Sequence, residues 1–287
     1  MDLRFVKMNG AGNDFVMIED LESSWDLEPE AVQWVCDRHY GVGADGVILI
    51  RRSRVEDADF FMFYLNADGS TAEMCGNGVR CFAKYLVDYG LLSEDASSVR
   101  VDTLGGVKPI TFRRDEEGLL AEATVDMGEP ILVPRDIPTT LPDVRDQRIE
   151  TAAGTFEVTT VSMGNPHTII WVDDVVNAPV ETVGPLIETH PAFPQRTNVE
   201  FACVVSDDRI ELRVWERGCG ETLACGTGAC ATLVAAALAG KTARAATIEL
   251  PGGDLQIRWA EDGRVYMTGS AATSFEGVIR LDEPSEE

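Results

Sequence analysis

The sequence predicts a mixed α/β (α+β) fold: two pseudo-symmetric halves from an internal duplication, each a curved, mostly antiparallel sheet wrapped around a central helix. Three observations carry this expectation. The chain aligns with itself at one spacing, short runs of β-forming residues are repeatedly broken by glycine, aspartate or proline, and one uninterrupted helical stretch stands out in each copy.

The repeat is read from ordered matches. Gly12-Asn13-Asp14-Phe15 returns as Gly164-Asn165-Pro166-His167, and Cys75-Gly76-Asn77-Gly78 returns as Cys225-Gly226-Thr227-Gly228. The asparagines lie 152 residues apart and the cysteines 150, while Asn66 precedes Cys75 by the same nine residues that separate Glu216 from Cys225. One tetrapeptide match is chance; several in order at one spacing indicate duplication.

The elements follow from local pattern. Phe60 to Leu65 and Ile210 to Trp215 are short runs of β-formers ending before glycine-containing turns, and both read as strands. After each Cys-Gly-x-Gly turn come proline-free helical stretches, Val79 to Tyr89 and Ala229 to Ala239, closed by Gly90 and Gly240. Both cysteines are therefore placed at helix starts. The second helix is apolar nearly all round, which requires burial on every side, and it is too short to span a bilayer. Further strands are expected at Val99 to Thr103, Gly154 to Met163, Thr168 to Val172, Val199 to Val205, Ala246 to Leu250, Leu255 to Trp259 and Arg264 to Thr268. The division falls in the proline-rich region after Met127, giving halves of residues 1–127 and 128–272, with the segment from about 273 free to return to the first. The acidic end, Asp282 to Glu287, is expected to be disordered.

Composition narrows the function. Met1 to Asp14 holds no long apolar stretch after a basic start, so neither a signal peptide nor a membrane anchor is indicated, and the cytoplasm is the expected compartment. Seven cysteines, an odd number, argue against a disulfide framework. Zinc is not expected either, because no Cys-x-x-Cys pair occurs and His39, His167 and His190 are scattered. A formal net charge of -25 repels phosphate backbones, so nucleic acid is not an expected partner. The spread of acidic residues and the presence of only four lysines suggest the hypothesis of adaptation to high salt; equal stability in dilute and molar salt would remove it.

Two cysteines at two helix starts suggest a chemistry. Unpaired N–H groups and the helix dipole favour a thiolate there, and the same N–H groups, at Gly76, Asn77, Gly226 and Thr227, suit a carboxylate. If the halves face one another about a pseudo-twofold axis, one carbon lies between two sulfurs, one entering as thiolate and the other as thiol, which is the geometry of inversion by two bases. A poorly stabilised carbanion also needs many donors on its carboxylate and exclusion of water. An isolated Cys-Gly-x-Gly turn is better explained by a tight strand-to-helix connection with a buried small residue, but its recurrence at equivalent points favours chemistry. Cys36, Cys81, Cys203, Cys219 and Cys230 have no matching context and are assigned to packing or surface. The two environments read alike, so the resting thiolate is assigned to neither Cys75 nor Cys225.

The segments Lys7-Met8-Asn9-Gly10-Ala11-Gly12-Asn13-Asp14-Phe15, Glu73-Met74-Cys75-Gly76-Asn77-Gly78-Val79-Arg80-Cys81, Met163-Gly164-Asn165-Pro166-His167 and the run from Glu216 to Gly228 together resemble the diaminopimelate epimerase family. The likeness runs in order from Lys7 to about Gly277. It implies the fold of that family and interconversion of LL- and meso-diaminopimelate, in lysine and cell-wall precursor synthesis, without pyridoxal phosphate, other cofactor or metal, usually by a homodimer. Carried over by position, it implies that Cys75 and Cys225 are the acid and base, assisted by His167 and Glu216. Substrate contacts then fall on Asn13, Asn66, Asn165, Asn198, Glu216 and Arg217, with backbone donors around Gly76, Asn77, Gly226 and Thr227. Arg217 suits two-pronged pairing with the distant carboxylate, and the asparagines suit either ammonium or carboxylate. For His167 taken alone, a hydrogen-bonded structural histidine fits as well as a catalytic one. Two departures stand out: Asn9 where many members carry histidine, and Gly46 where some carry a substrate-contacting glutamine.

Three rival readings remain open at this level. A two-cysteine racemase acting on proline or hydroxyproline shares the cysteines, but its small ring would not need Arg217 and the asparagines. A dithiol redox protein and a binding module without turnover have no positive support in the sequence.

Overall fold

A computed structural model describes residues 2–280, so the acidic tail Asp282 to Glu287 and its expected disorder lie outside the described residues. The chain forms two compact units, one running through Val125 and taking in the segment from Gly269 onward, the other Asp126–Thr268.

The first unit opens with a hairpin of β1 (Asp2–Gly10) and β2 (Asn13–Glu19). Its two-residue loop, Ala11 and Gly12, has φ of 53° and 78°, the doubly left-handed turn whose twist matches paired strands, and this places Asn13 at the head of β2. Helix α1 (Pro29–Cys36) leads to β3 (Gly46–Arg52), parallel to β2, and β4 (Phe60–Asn66) returns antiparallel. The run Val47-Ile48-Leu49-Ile50 is wholly buried instead of alternating, because both faces of the sheet are covered. One face meets α1 through Val32 and Val35, and the other meets α2 (Gly76–Asp88), reached through the short β5 (Thr71–Ala72). β6 (Ser98–Asp102) lies parallel to β4, and β7 (Lys108–Arg114) and β8 (Leu120–Gly128) continue antiparallel.

The second unit repeats this plan. β9 (Gln147–Thr151), β10 (Gly154–Ser162) and β11 (Pro166–Trp171) are antiparallel neighbours, and after α3 (Val180–Glu188) comes β12 (Asn198–Ser206), parallel to β11. β13 (Arg209–Glu216), β14 (Gly220–Thr222), α4 (Gly226–Leu238), β15 (Ala245–Leu250), β16 (Gly253–Trp259) and β17 (Val265–Gly269) follow in the order and sense of their counterparts. Here α3 covers one face through Val180, Val183 and Ile187, and α4 packs on β10, β11, β12, β15 and β16. The last strand, β18 (Ala272–Arg280), pairs antiparallel with β1, so the edge strand of the first unit comes from the end of the chain, whereas that of the second comes just before its own first strand.

The predicted strands are present within a residue or two, and the architecture is the mixed α/β, mostly antiparallel one expected. The helices differ at their starts. They begin at Gly76 and Gly226, three residues before the predicted Val79 and Ala229, so the glycines belong to the first turn instead of preceding it. Their role is close approach, since a Cβ on Gly78 would stand 3.0 Å from Ile48 Cδ1 and one on Gly228 would stand 2.9 Å from Glu200 Oε1. The predicted ends hold: Gly90 and Gly240 have φ of 71° and 65°, and Leu91 and Lys241 return their N–H groups to Leu86 and Ala236, closing each helix. No helix among the described residues is long and apolar enough to cross a membrane.

Candidate active site

The two cysteine clusters are built alike and furnished differently. In the first unit Cys75 is the residue that caps α2, with extended backbone (φ -137°, ψ 120°), so the first-turn N–H groups that follow have no carbonyl a turn back to bond. The Cys75 thiol donates to Asn13 Oδ1 at 3.5 Å, and Asn77 Nδ2 donates to the same oxygen at 3.4 Å. Asn13 is held in that orientation from behind, because its Nδ2 donates to Asp45 Oδ2 at 2.5 Å. Asp45 also receives the Asp14 backbone N–H at 3.0 Å and Arg38 at 2.8 Å. Burial pushes the Asp14 carboxyl up, but hydrogen bonds and charge from Arg38 and Lys7 outweigh it and hold the group at about 2, an anion at any physiological pH. Arg80, fully buried, donates to Asn77 Oδ1 at 2.9 Å and fixes the second amide.

The same unit explains one departure. A Cβ on Gly46 would stand 2.5 Å from Leu65 O and from the Tyr64 ring, so the tyrosine fills the space that a longer residue needs. A glutamine there requires Tyr64 to move. Asn9 is spent on Ser274 Oγ at 3.3 Å. Asn66, opposite Gly46 in the strand register, donates to Ser70 Oγ at 3.0 Å.

In the second unit Cys225 caps α4 with the same extended backbone (φ -122°, ψ 112°), and it is 5 % exposed. Its sulfur lies 3.4 Å from Thr227 Oγ1, and its thiol donates to Glu216. Burial, then the negative charges of Glu216 and Glu200, push this thiol well above the ordinary range, while the Thr227 hydroxyl and the Gly228 N–H pull the other way. Glu216 is itself raised, chiefly by burial, against hydrogen bonds from Thr222, at 2.5 Å, and from Cys225. Asn165 Nδ2 donates to Thr227 Oγ1 at 3.3 Å, Asn165 Oδ1 lies 3.0 Å from His167 Nε2, and His167 Nδ1 lies 2.6 Å from Glu200 Oε1.

Asn198 is committed on both sides, its Oδ1 receiving the Arg217 backbone N–H at 2.9 Å and its Nδ2 donating to Pro166 O at 2.8 Å. It therefore fixes the loop that carries Arg217, whose exposed guanidinium rests on Gln195 O at 3.1 Å. Of the sequence candidates, Asn13, Cys75 and Asn77 are joined by hydrogen bonds in one unit, and Asn165, His167, Thr227, Cys225 and Glu216 in the other. Sequence reasoning missed Asp45, Arg80, Thr222 and Glu200. Glu200 had a readable signal, an acidic residue amid Val199, Phe201 and Ala202 of an otherwise apolar strand, because a buried carboxylate demands a partner.

The family model and the protein relatives agree on one family. The family model described as Diaminopimelate epimerase matches residues 5–133 and 159–274. The chain is 51 % identical over 286 residues to the diaminopimelate epimerase of Synechococcus elongatus, covering 98 % of this chain and 99 % of that protein. It is 50 % identical over 285 residues to diaminopimelate epimerase 1 of a Nostoc species, covering 97 % and 100 %. Among solved structures, a hydroxyproline epimerase from Agrobacterium vitis with bound trans-4-hydroxy-L-proline superposes with a TM-score of 0.72 at 14 % identity, over 99 % of this chain and 94 % of that one, which is a likeness of fold.

Proposed function

The chain belongs to the diaminopimelate epimerase family, and on that premise we propose that it interconverts LL- and meso-diaminopimelate by a two-thiol proton transfer at the α-carbon. The observation that carries this reading is the recurrence of a cysteine at the start of a buried helix at equivalent points of both units.

The proposed reaction places the α-carbon between Cys75 and Cys225. A thiolate on one face takes the α-proton as the C–H bond breaks; its electron pair spreads into the substrate carboxylate; the thiol on the other face delivers its proton to the carbon. The first-turn N–H groups at Gly76 and Asn77 and at Gly226 and Thr227 receive the carboxylate on which charge grows. Glu216 takes and returns the Cys225 proton, and His167 acts behind Asn165. Asn13, Asn66, Asn165 and Arg217 bind the remaining polar ends, and Asn198 serves the substrate by fixing the loop that carries Arg217. The chemistry draws on this chain's own side chains and backbone, with no pyridoxal phosphate or metal. Reduced thiols suit the cytoplasm, where we place the protein. A homodimer is the assembly we favour, since β18 pairs on one side with β1 and exposes Phe275 and Val278.

The test is solvent labelling. LL-diaminopimelate incubated with the protein in D2O is expected to give meso-diaminopimelate carrying deuterium at the inverted α-carbon. Binding without any α-label would overturn the reading in favour of a module that has no turnover.

A further inference from the structure

Glu200 and His167 have side chains fully removed from solvent, and the second carboxylate oxygen, Glu200 Oε2, has no hydrogen-bond partner among the described residues. Burying such a pair is costly. The fold does not require it. Phe15 stands opposite Gly46 with Ile48 two residues on, as His167 stands opposite Asn198 with Glu200 two residues on. Phe15 and Ile48 are fully buried, and Gly78 approaches Ile48 as Gly228 approaches Glu200. Equivalent positions are thus filled by hydrocarbon in one unit and by an acid–base pair in the other, so packing does not account for the pair.

Its hydrogen bonds do. Both ring nitrogens of His167 face oxygens, Glu200 Oε1 and Asn165 Oδ1, and both contacts are satisfied when both nitrogens donate; the resulting cation balances the carboxylate. Asn165 then keeps its oxygen toward the ring and its Nδ2 toward Thr227 Oγ1. Because Thr227 accepts from the amide, its own hydrogen is available to the Cys225 sulfur 3.4 Å away. A reversed amide would claim that hydrogen for its oxygen.

We infer that Glu200 is a positioning residue that, through His167 and Asn165, keeps the Thr227 hydroxyl donating to Cys225. The inference rests on the proposed epimerase reading, in which Cys225 must pass through its thiolate. Glu216, on β13, also acts on this sulfur, and its charge interacts with His167.

Glu200→Gln keeps the size and removes the charge. The expected result is a roughly 10- to 100-fold lower kcat, by analogy with the loss seen when the partner that orients a metal-bound histidine is removed. KM should change much less, and the 15N signals of His167 should lose the pattern of two protonated nitrogens. Glu200→Asp should recover part of the rate. In a Thr227→Val background the same change should cost little more, since both act on one hydrogen bond. Unchanged His167 signals, a parental rate, or losses that multiply would overturn the inference. Should Glu200→Gln not fold, His167→Phe with Glu200→Ile restores the pair found in the first unit; it is expected to fold and to be slow, and a parental rate would overturn the inference equally. The 15N measurement uses the resting protein, so signals that respond in a protein that inverts no diaminopimelate would sink the proposed reaction and leave the hydrogen-bond chain standing.

Discussion

Cys75→Ala and Cys225→Ala should each lower epimerisation at least about 10³-fold, equivalent to about 4 kcal/mol of transition-state stabilisation. Stability should hardly change, because losing one sulfur opens a space no larger than a methyl group, costing about 1 kcal/mol. Circular dichroism and thermal melting check the fold. The variants differ in what they retain. With one sulfur gone, the other is expected to exchange the α-hydrogen of one diastereomer with solvent without inverting the centre. Cys75→Ala and Cys225→Ala should therefore wash deuterium into opposite members of the LL and meso pair. Exchange of the same diastereomer by both variants would show that the sulfurs do not act on opposite faces.

Glu216→Gln should move two readouts in opposite directions. Burial and the charges of Glu216 and Glu200 hold the Cys225 thiol well above the ordinary range, so at pH 8 little of it is thiolate and alkylation by iodoacetamide is slow. Removing the Glu216 charge lowers the cost of a neighbouring anion, so the thiol pKa falls and the rise in alkylation moves to lower pH. In the proposed reaction the same change removes the acceptor for the Cys225 proton, and turnover should fall about 10²- to 10⁴-fold. Peptide mapping distinguishes Cys225 from the exposed Cys219. Slower labelling, or turnover at the parental rate, would show that Glu216 neither raises the thiol nor receives its proton.

Much of this was legible before any coordinates. The repeat announced two like sheets and two helices, and glycines at 90 and 240 marked the helix ends, because these features are local: period, turn chemistry and propensity act over a few residues. The first-unit strands Lys108–Arg114 and Leu120–Gly128 were not read, since charged residues interrupt their apolar pattern, and α1 is only eight residues long.

The family, the duplication and the cysteine at each helix start are all carried by short contiguous motifs. How the clusters differ depends on contacts made between distant parts of the folded chain. Asp45 reaches Asn13 across 32 residues and Glu200 reaches His167 across 33, so each carboxylate meets its partner only when parallel strands bring them side by side. The direction in which an amide points, and whether a buried sulfur is burdened or relieved of charge, depend on such neighbours, and spacing along the chain does not encode them.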